Sequence, residues 1–500
     1  MRYAHTVEQV RAAEDALMAT LPEGALMQRA AAGLATACAA YLGRVYGSRI
    51  LVLAGSGNNG ADALYAAARL ARRGAQVEAI LVTESAHAGG LADFLSAGGQ
   101  IVDEPGDPDV VLDGLLGIGG RGALSGRSAE LVGLLSAPVV AVDVPSGIGV
   151  DFGELSGPHV AATLTVTFGT HKPGLLLDPA RGAAGAVELV DIGLGPYLDA
   201  PVLEALQTSD VQQILPTPDA VAHKYSRGVL GIVAGSSQYT GAALLVTSAA
   251  VGTGLAGVIR YEGAAEDLVR ARHPEVVIGS GQVQAWVVGP GMGAEQGDKV
   301  RRVLAEGLPT VVDADGLAHL PARCTGPAVL TPHAGELARM LGEERSAVEA
   351  GMLSAATRAA RRWDAVVVLK GARAVIAAPD GRVRVNTSGV PWLATAGSGD
   401  VLSGVVGTLL AAGLDEYDAA SVGAWLHGTA GGLAASSLGW RSVGLTGVAG
   451  QAGSAGSIDA AARAEMFFGA FGGPISASRV AELLPEAIRS ALSTSVSGTG

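Results

Sequence analysis

The chain has 500 residues, 49% hydrophobic and 16% charged, which excludes a disordered chain and favours two domains over one. Lys plus Arg number 34 against 47 Asp plus Glu, a formal charge of −13, which excludes a protein that coats nucleic acid through a broad basic face. The 73 glycines lack a collagen-like period, and two distant cysteines, Cys38 and Cys324, make neither a disulfide framework nor a zinc cluster.

A reducing cytoplasm is the expected setting, since Met1 to Val10 has no apolar signal region. Arg49–Ala54 reads as a buried strand, Gly55–Gly60 as a loop and Ala61–Arg73 as a helix. Further strands are expected at Val77–Val82, Val110–Leu112 and Val139–Val142, each followed by a Gly- or Ser-containing turn. Strand, glycine loop and helix in repetition predict a parallel sheet with helices on both faces, a Rossmann-like three-layer sandwich. Ligands of such sheets sit at the carboxyl ends of the strands.

From Asp191 to Ala222 the pattern weakens, with Gly193, Gly195, Pro196, Pro201, Pro216 and Pro218 and a short helix expected near Leu203–Leu206. The domain boundary is placed there, giving domains 1–207 and 208–500. The second block opens with the strand Gly228–Ala234 and the turn Gly235-Ser236-Ser237. Ala242 to Ile259 carries no charge, but it is built as much from Ala, Gly, Ser and Thr as from Leu or Val. Gly252, Gly254 and Gly257 interrupt it, so it predicts a buried helix followed by a turn and no membrane span. Strands follow at Ala285–Val288, Thr310–Val312, Ala328–Leu330 and Ala365–Leu369, then a hairpin, Arg373–Ala378 with Arg382–Asn386. Val401–Leu414 reads as an apolar helix, Gly444–Gly473 as an insertion or flexible loop, and Ser476–Leu492 as a closing amphipathic helix.

Gly397-Ser398-Gly399-Asp400 stands immediately before that apolar helix. Converging backbone N–H groups and a helix start make an anion site. A carboxylate there makes sense as the base that takes a proton from a hydroxyl attacking phosphorus; equally, Asp400 is an ordinary N-cap. Several other loops follow strands: Lys370-Gly371-Ala372, Thr331-Pro332-His333-Ala334-Gly335-Glu336 and Val288-Gly289-Pro290-Gly291-Met292-Gly293. Asp313 and Asp315 follow another strand and suit a metal, substrate hydroxyls or helix capping. One shared cleft is the simplest account of them.

With His223-Lys224, Tyr239-Thr240-Gly241-Ala242-Ala243 and His273-Pro274-Glu275, these segments occur in family order. The second block thereby resembles the ADP- or ATP-dependent NAD(P)H-hydrate dehydratases of the ribokinase-like superfamily. The resemblance implies a second three-layer sandwich that repairs NADH or NADPH hydrated on its nicotinamide ring. Asp400 would deprotonate the ring hydroxyl, a nucleotide would phosphorylate it, and phosphate would then eliminate. It implies substrate contacts at Ala242, Gly291, Gly293, His333 and Asp400, and adenine-nucleotide contacts at Lys370, Gly371, Ala372, Arg373, Ala374 and Gly399. ADP is the expected co-substrate, with Mg²⁺. The family often has Thr where this chain has Ala374.

In the first block, Gly55-Ser56-Gly57-Asn58-Asn59-Gly60-Ala61-Asp62 links strand to helix, but its paired Asn residues depart from the dinucleotide fingerprint. Their amides suit a hard cation or a ligand. Asp113-Gly114-Leu115-Leu116-Gly117-Ile118-Gly119 and Asp143-Val144-Pro145-Ser146-Gly147 also begin at strand ends. Turns and caps alone would account for all three loops. With Val166–Gly169 and Lys172-Pro173-Gly174, they resemble the NAD(P)H-hydrate epimerases over roughly residues 1–195. That resemblance implies K⁺ ligands at Asn59, Asp113 and Ser146, and substrate contacts at Asn58, Asn59, Gly60, Ala61, Asp62, Gly117, Ile118, Gly119, Gly120, Arg121, Gly122, Ala123 and Asp143. Asp143 is the chosen acid–base. Ala61 and Ala63 stand where the family has Gly, and a methyl there is expected to crowd an approaching phosphate.

The sequence thus points to a bifunctional repair enzyme acting on NADHX and NADPHX, with no nucleic-acid or membrane partner and with self-assembly expected. The alternatives are a ribokinase-like small-molecule kinase with a non-catalytic N-terminal domain, and a nucleotide-sensing scaffold with dead sites.

Overall fold

A computed structural model describes residues 1–83, 85–436 and 472–493. Of the segment Gly444–Gly473, expected to be an insertion or flexible loop, residues 444–471 lie outside the described residues. The chain divides into two compact units that meet in sequence at Leu203 and Glu204.

The first unit carries strands β1 (Arg2–Ala4), β2 (Arg49–Ala54), β3 (Gln76–Leu81), β4 (Gln100–Ile101), β5 (Val110–Gly114), β6 (Val139–Val142), β7 (Leu164–Phe168) and β8 (Ala186–Val190). Seven of them form a sheet in the order β4-β3-β2-β5-β6-β7-β8, and every registered pair in it is parallel. Its helices are α1 (Val7–Met18), α2 (Ala25–Leu42), α3 (Asn58–Ala71), α4 (Ala88–Ser96) and α5 (Gly126–Gly133). Alternation along β2 explains the layering. Ile50, Val52 and Ala54 join a core with α1, α2 and α3, while Leu51 and Leu53 join one that includes Leu131 of α5. Both faces of the strand are therefore buried, as its unbroken apolar run requires.

The second unit begins with β9 (Leu203–Ala205), a three-residue strand where a short helix was expected. Leu, Glu and Ala favour helix locally, but Glu204 is in register with Arg384 and accepts from its Nε at 3.1 Å, and that pairing overrides propensity. The unit then carries α6 (Thr208–Ile214), β10 (Val229–Val233), α7 (Thr240–Thr253), β11 (Val258–Glu262), α8 (Glu266–Arg272), β12 (Val277–Ile278), β13 (Ala285–Val288), α9 (Gly297–Ala305) and β14 (Thr310–Val312). It continues through β15 (Ala328–Leu330), α10 (Ala334–Leu341), α11 (Arg345–Ala350), α12 (Met352–Trp363), β16 (Val366–Leu369), β17 (Val375–Ala377), β18 (Val383–Val385), α13 (Ser398–Ala411), α14 (Glu416–Ser436) and α15 (Ala477–Leu492). The sheet runs β9-β18-β17-β16-β15-β14-β13-β10-β11-β12, antiparallel only through the β16-β17-β18 hairpin. The uncharged run from Ala242 ends its helix at Thr253 and enters β11 at Val258, so its tail is strand. No described helix is long and apolar enough to cross a membrane.

All five tryptophans lie between Trp286 and Trp440 in the sequence, and the four among the described residues, Trp286, Trp363, Trp392 and Trp425, are in this second unit. Trp286 is 3% exposed, and its indole Nε1 donates to Glu306 at 2.9 Å. The α/β class expected from the sequence holds in both units.

Candidate active sites

In the second unit the site gathers at the carboxyl ends of β14, β15 and β16 and the start of α13. Gly397 has φ 84°, a conformation that costs glycine nothing, and it caps α13. Asp400 is therefore the third helical residue and not the N-cap, which removes the capping account of it. Burial, reinforced by Asp313, raises its carboxyl to about 7, against the opposing pull of Lys370; Asp315 and Glu336 add to the rise.

Beneath it lies a buried ion pair. Lys370 Nζ is 2.8 Å from Asp313 Oδ1, and Ser403 Oγ donates to Asp313 Oδ2 at 2.6 Å. Asp313 is 1% exposed; burial works against its charge, but Lys370 outweighs it and holds the carboxyl below its ordinary value. Burial likewise opposes the Lys370 ammonium, yet Asp313 and Glu336 keep it above its ordinary value. A methyl on Gly399 would lie 3.1 Å from Lys370 Nζ, so the ammonium rests directly against the anion loop. Under the same loop Ser398 Oγ meets His427 Nε2 at 3.1 Å, and burial lowers this imidazole to about 4, leaving it neutral.

The remaining candidates fall into groups. Gly291, at φ 62°, approaches Ala242 so closely that a methyl would come within 2.7 Å of Ala242 Cβ. Gly293 N donates to Asp315 Oδ2 at 2.8 Å. His333 caps α10, its Nδ1 accepting from Gly335 N at 3.0 Å and Glu336 N at 3.2 Å, which leaves the proton on Nε2. His333 pairs with Lys370 as a parallel bridge, so these two residues stand side by side. Ala374 is buried, its carbonyl accepting from Asn386 N at 2.9 Å, while Gly371 faces Met352. Asp313 carried no settled role from sequence, and Ser403 none. No spacing announced Ser403; its position one turn beyond Gly399 on α13 was the available signal.

In the first unit a cavity of about 480 Å³ is lined by Asn58, Asn59, Asp62, Gly117, Ile118, Gly119, Gly120 and Asp143. Gly60, Ala61, Arg121, Gly122 and Ala123 are not in its walls. Helix geometry turns the Ala61 and Ala63 methyls inward: both are 0% exposed, and a methyl on Gly114 would lie 2.7 Å from Ala63 Cβ. The expected crowding by these methyls does not arise.

Asp143 has φ 65°, unusual for a residue with a Cβ. Its Oδ1 accepts from Thr167 Oγ1 at 3.0 Å, from Phe168 N at 3.3 Å and from Lys172 Nζ. Lys172 is 1% exposed and also donates to Phe168 O at 3.1 Å. Asp113 is wholly buried, accepting from Ser146 Oγ at 2.6 Å and Ser146 N at 2.8 Å, and burial raises it to about 6. Asn59 Nδ2 and Asp62 Oδ1 are buried with no hydrogen-bond partner. The sequence also passed over Arg11 and Glu14 of α1, which line the same cavity. Their i, i+3 spacing on an amphipathic helix was the only signal.

Two α/β units, the second with a carboxylate and a lysine at a glycine-walled helix start, define a two-domain α/β enzyme. Residues 230–448 match the family model described as NAD(P)H-hydrate dehydratase, and residues 23–174 match the YjeF-related protein N-terminus. A bifunctional NAD(P)H-hydrate repair enzyme of Mycobacterium leprae is 44% identical, covering 88% of this chain and 95% of the relative. One from Moorella thermoacetica is 35% identical over 81% and 86%. The chain belongs to the bifunctional NAD(P)H-hydrate repair enzyme family. Among solved structures, an ADP/ATP-dependent NAD(P)H-hydrate dehydratase from Bacillus subtilis is 26% identical with a TM-score of 0.47, covering 58% of this chain and 98% of that one. Relatives that carry both blocks disfavour the small-molecule kinase alternative.

Proposed function

We propose that this chain repairs hydrated NADH and NADPH, the first unit interconverting the R and S hydrates and the second returning the S form to the reduced dinucleotide. The second step uses ADP and releases AMP and phosphate. The observation that carries the reading is Asp400, a carboxyl raised to about 7 beside the Lys370–Asp313 pair. In this reading Asp400 takes the proton from the ring hydroxyl, whose oxygen attacks the terminal phosphorus. Lys370, anchored by Asp313 and resting against Gly399, meets the charge growing on the phosphoryl oxygens. Phosphate then leaves with the ring oxygen, the neighbouring carbon loses a proton, and the double bond returns. Ala242, Gly291, Gly293 and His333 hold the hydrate, and Lys370–Ala374 with Gly399 hold the nucleotide.

Magnesium would come with the nucleotide phosphates, whose charge it neutralises. Asp313 is bonded to Lys370 and Ser403, Asp315 to Gly293 N and Glu336 to His333 N, and Asp315 and Glu336 are the carboxylates that would hold the ion. A potassium ion suits Asn59, Asp113 and Ser146, which offer amide, carboxylate and hydroxyl oxygens. Asp113 has hydrogen-bond partners in Ser146 and Leu115 but no cationic one among the described residues, so its buried charge is the group such an ion would balance. The ion would supply fixed positive charge beside the cavity. Asp143, oriented by Lys172, is the acid–base of the epimerase.

The test is to supply S-NADHX, ADP and Mg²⁺ and follow the returning absorbance of the reduced nicotinamide, expected to be faster with ADP than with ATP. No recovery from the S form would end the dehydratase reading. Recovery that stalls at the S fraction of a freshly trapped R/S mixture would end the epimerase reading.

A further inference from the structure

Epimerisation has a requirement that one acid–base group meets poorly. The hydrated carbon lies beside the ring nitrogen. Inverting it by exchange of its hydroxyl means that water leaves from one face and returns to the other. A group on the departure side must give a proton to the leaving hydroxyl, and a group on the arrival side must take one from the incoming water.

The cavity is lined by Asp143 at the end of β6 and, from a different element, by Arg11, Glu14 and Met18 of α1. These three recur at i, i+3 and i+7, so one helix face looks into the cavity. The wall is close: Arg11 Nη2 lies 3.1 Å from where a methyl on Gly119 would sit. Asp143 is committed to Lys172, Thr167 and Phe168. Glu14 has no hydrogen-bond or ion-pair partner among the described residues. Its charge environment comprises Lys172, Asp143, Asp15 and Arg11, with Asp62 also close enough to act on it. Asp62 Oδ1 is buried, unpartnered and in the same cavity wall, as expected of a carboxyl that a ligand satisfies.

We propose that Glu14 is a second catalytic acid–base residue of the epimerase pocket, serving the face of the ring that Asp143 does not. This rests on the epimerase reading. For one direction, the Glu14 carboxylic acid protonates the hydroxyl, the C–O bond breaks with its electron pair on the departing water, and the ring-nitrogen lone pair forms a C=N⁺ bond. Water then adds to the opposite face as that bond's electrons return to nitrogen, and Asp143 accepts the surplus proton. The reverse direction exchanges their roles. Atoms and charge balance with water alone as co-reactant. Burial, the largest influence, raises the Glu14 carboxyl above its ordinary value.

Two rates measured on one sample decide the matter: R-to-S conversion by chromatography, and ¹⁸O uptake from labelled water into unconverted R or S hydrate, each corrected for the spontaneous rate and run without ADP. Glu14→Gln is expected to slow conversion about 100-fold or more, the usual contribution of a positioned acid–base. It should still exchange label, with retention, into the epimer whose hydroxyl faces Asp143. Wild-type conversion in this variant would overturn the proposal, and so would loss of conversion and exchange together, which is what a structural role predicts. Should Glu14→Gln fail to fold, Glu14→Asp decides by the same two rates: slowed conversion with exchange kept supports the proposal, and any other outcome overturns it. Asp143→Asn tells the two readings apart. If it also converts at the wild-type rate, the assignment of epimerisation to this pocket falls; if it is inactive while Glu14→Gln is unaffected, only the role of Glu14 falls.

Discussion

A carboxyl that titrates near 7 is half ionised at physiological pH, and Asp400 is read as one. As a base it must be ionised, so dehydratase kcat/KM is expected to rise with pH and level off above about 7, in a pH–rate profile with saturating ADP. Asp400→Asn should remove that limb and cut the rate by about 10²–10⁴. Its effect on stability has the opposite sign. The folded carboxyl keeps its proton to higher pH than the unfolded one, so the wild-type chain loses stability as pH rises from the ordinary carboxylate range to about 7. Asp400→Asn should therefore melt higher than wild type at pH 8 and show little difference at low pH. Lys370 differs, because removing it strands the buried Asp313 charge. Lys370→Met is expected to cost about 3–5 kcal/mol in urea unfolding of this unit, with Asp313→Asn restoring part of the loss. The sequence made Asp400 conspicuous but not its helical register, since Gly397 and Gly399 suit a helix start equally well. It left Asp313 with several roles because an ion pair spanning 57 positions leaves no local pattern.

Among elements, the start of α3 is tightly constrained. A methyl on Gly60 would lie 2.1 Å from the backbone oxygen of Gly55, with nothing flexible to yield, whereas Gly57 has open space around it. Gly60→Ala should destabilise the first unit by about 1–3 kcal/mol and weaken epimerase activity, and Gly57→Ala should leave both close to wild type, read by thermal melting and R-to-S conversion. The glycines of this loop were legible as a group, but which one the fold needs was not, because the clash comes from the chain's own preceding turn. Strands were legible wherever Val, Ile and Leu ran together, since both faces of a parallel sheet are buried. β9 was not, because at three residues its neighbours decide its conformation. The role argued for α1 was hidden for a related reason: Arg11 and Glu14 look like the solvent face of any amphipathic helix until the cavity lies beside them.

For the molecule as a whole, each unit has its own buried clusters, so each is expected to respond to its own ligand. ADP with Mg²⁺ at 100 times its dissociation constant should stabilise the second unit by about 2.7 kcal/mol and raise its calorimetric transition, without raising that of the first. A shift of both transitions together would show that they unfold as one.

The tryptophan distribution makes this separable without cutting the chain. With every tryptophan after Glu204 in the sequence, intrinsic emission excited at the red edge is expected to report on that half, while far-ultraviolet dichroism reports on both. The chain thus carries a built-in optical label for its dehydratase half, and the epimerase half can be followed as the difference between the two signals.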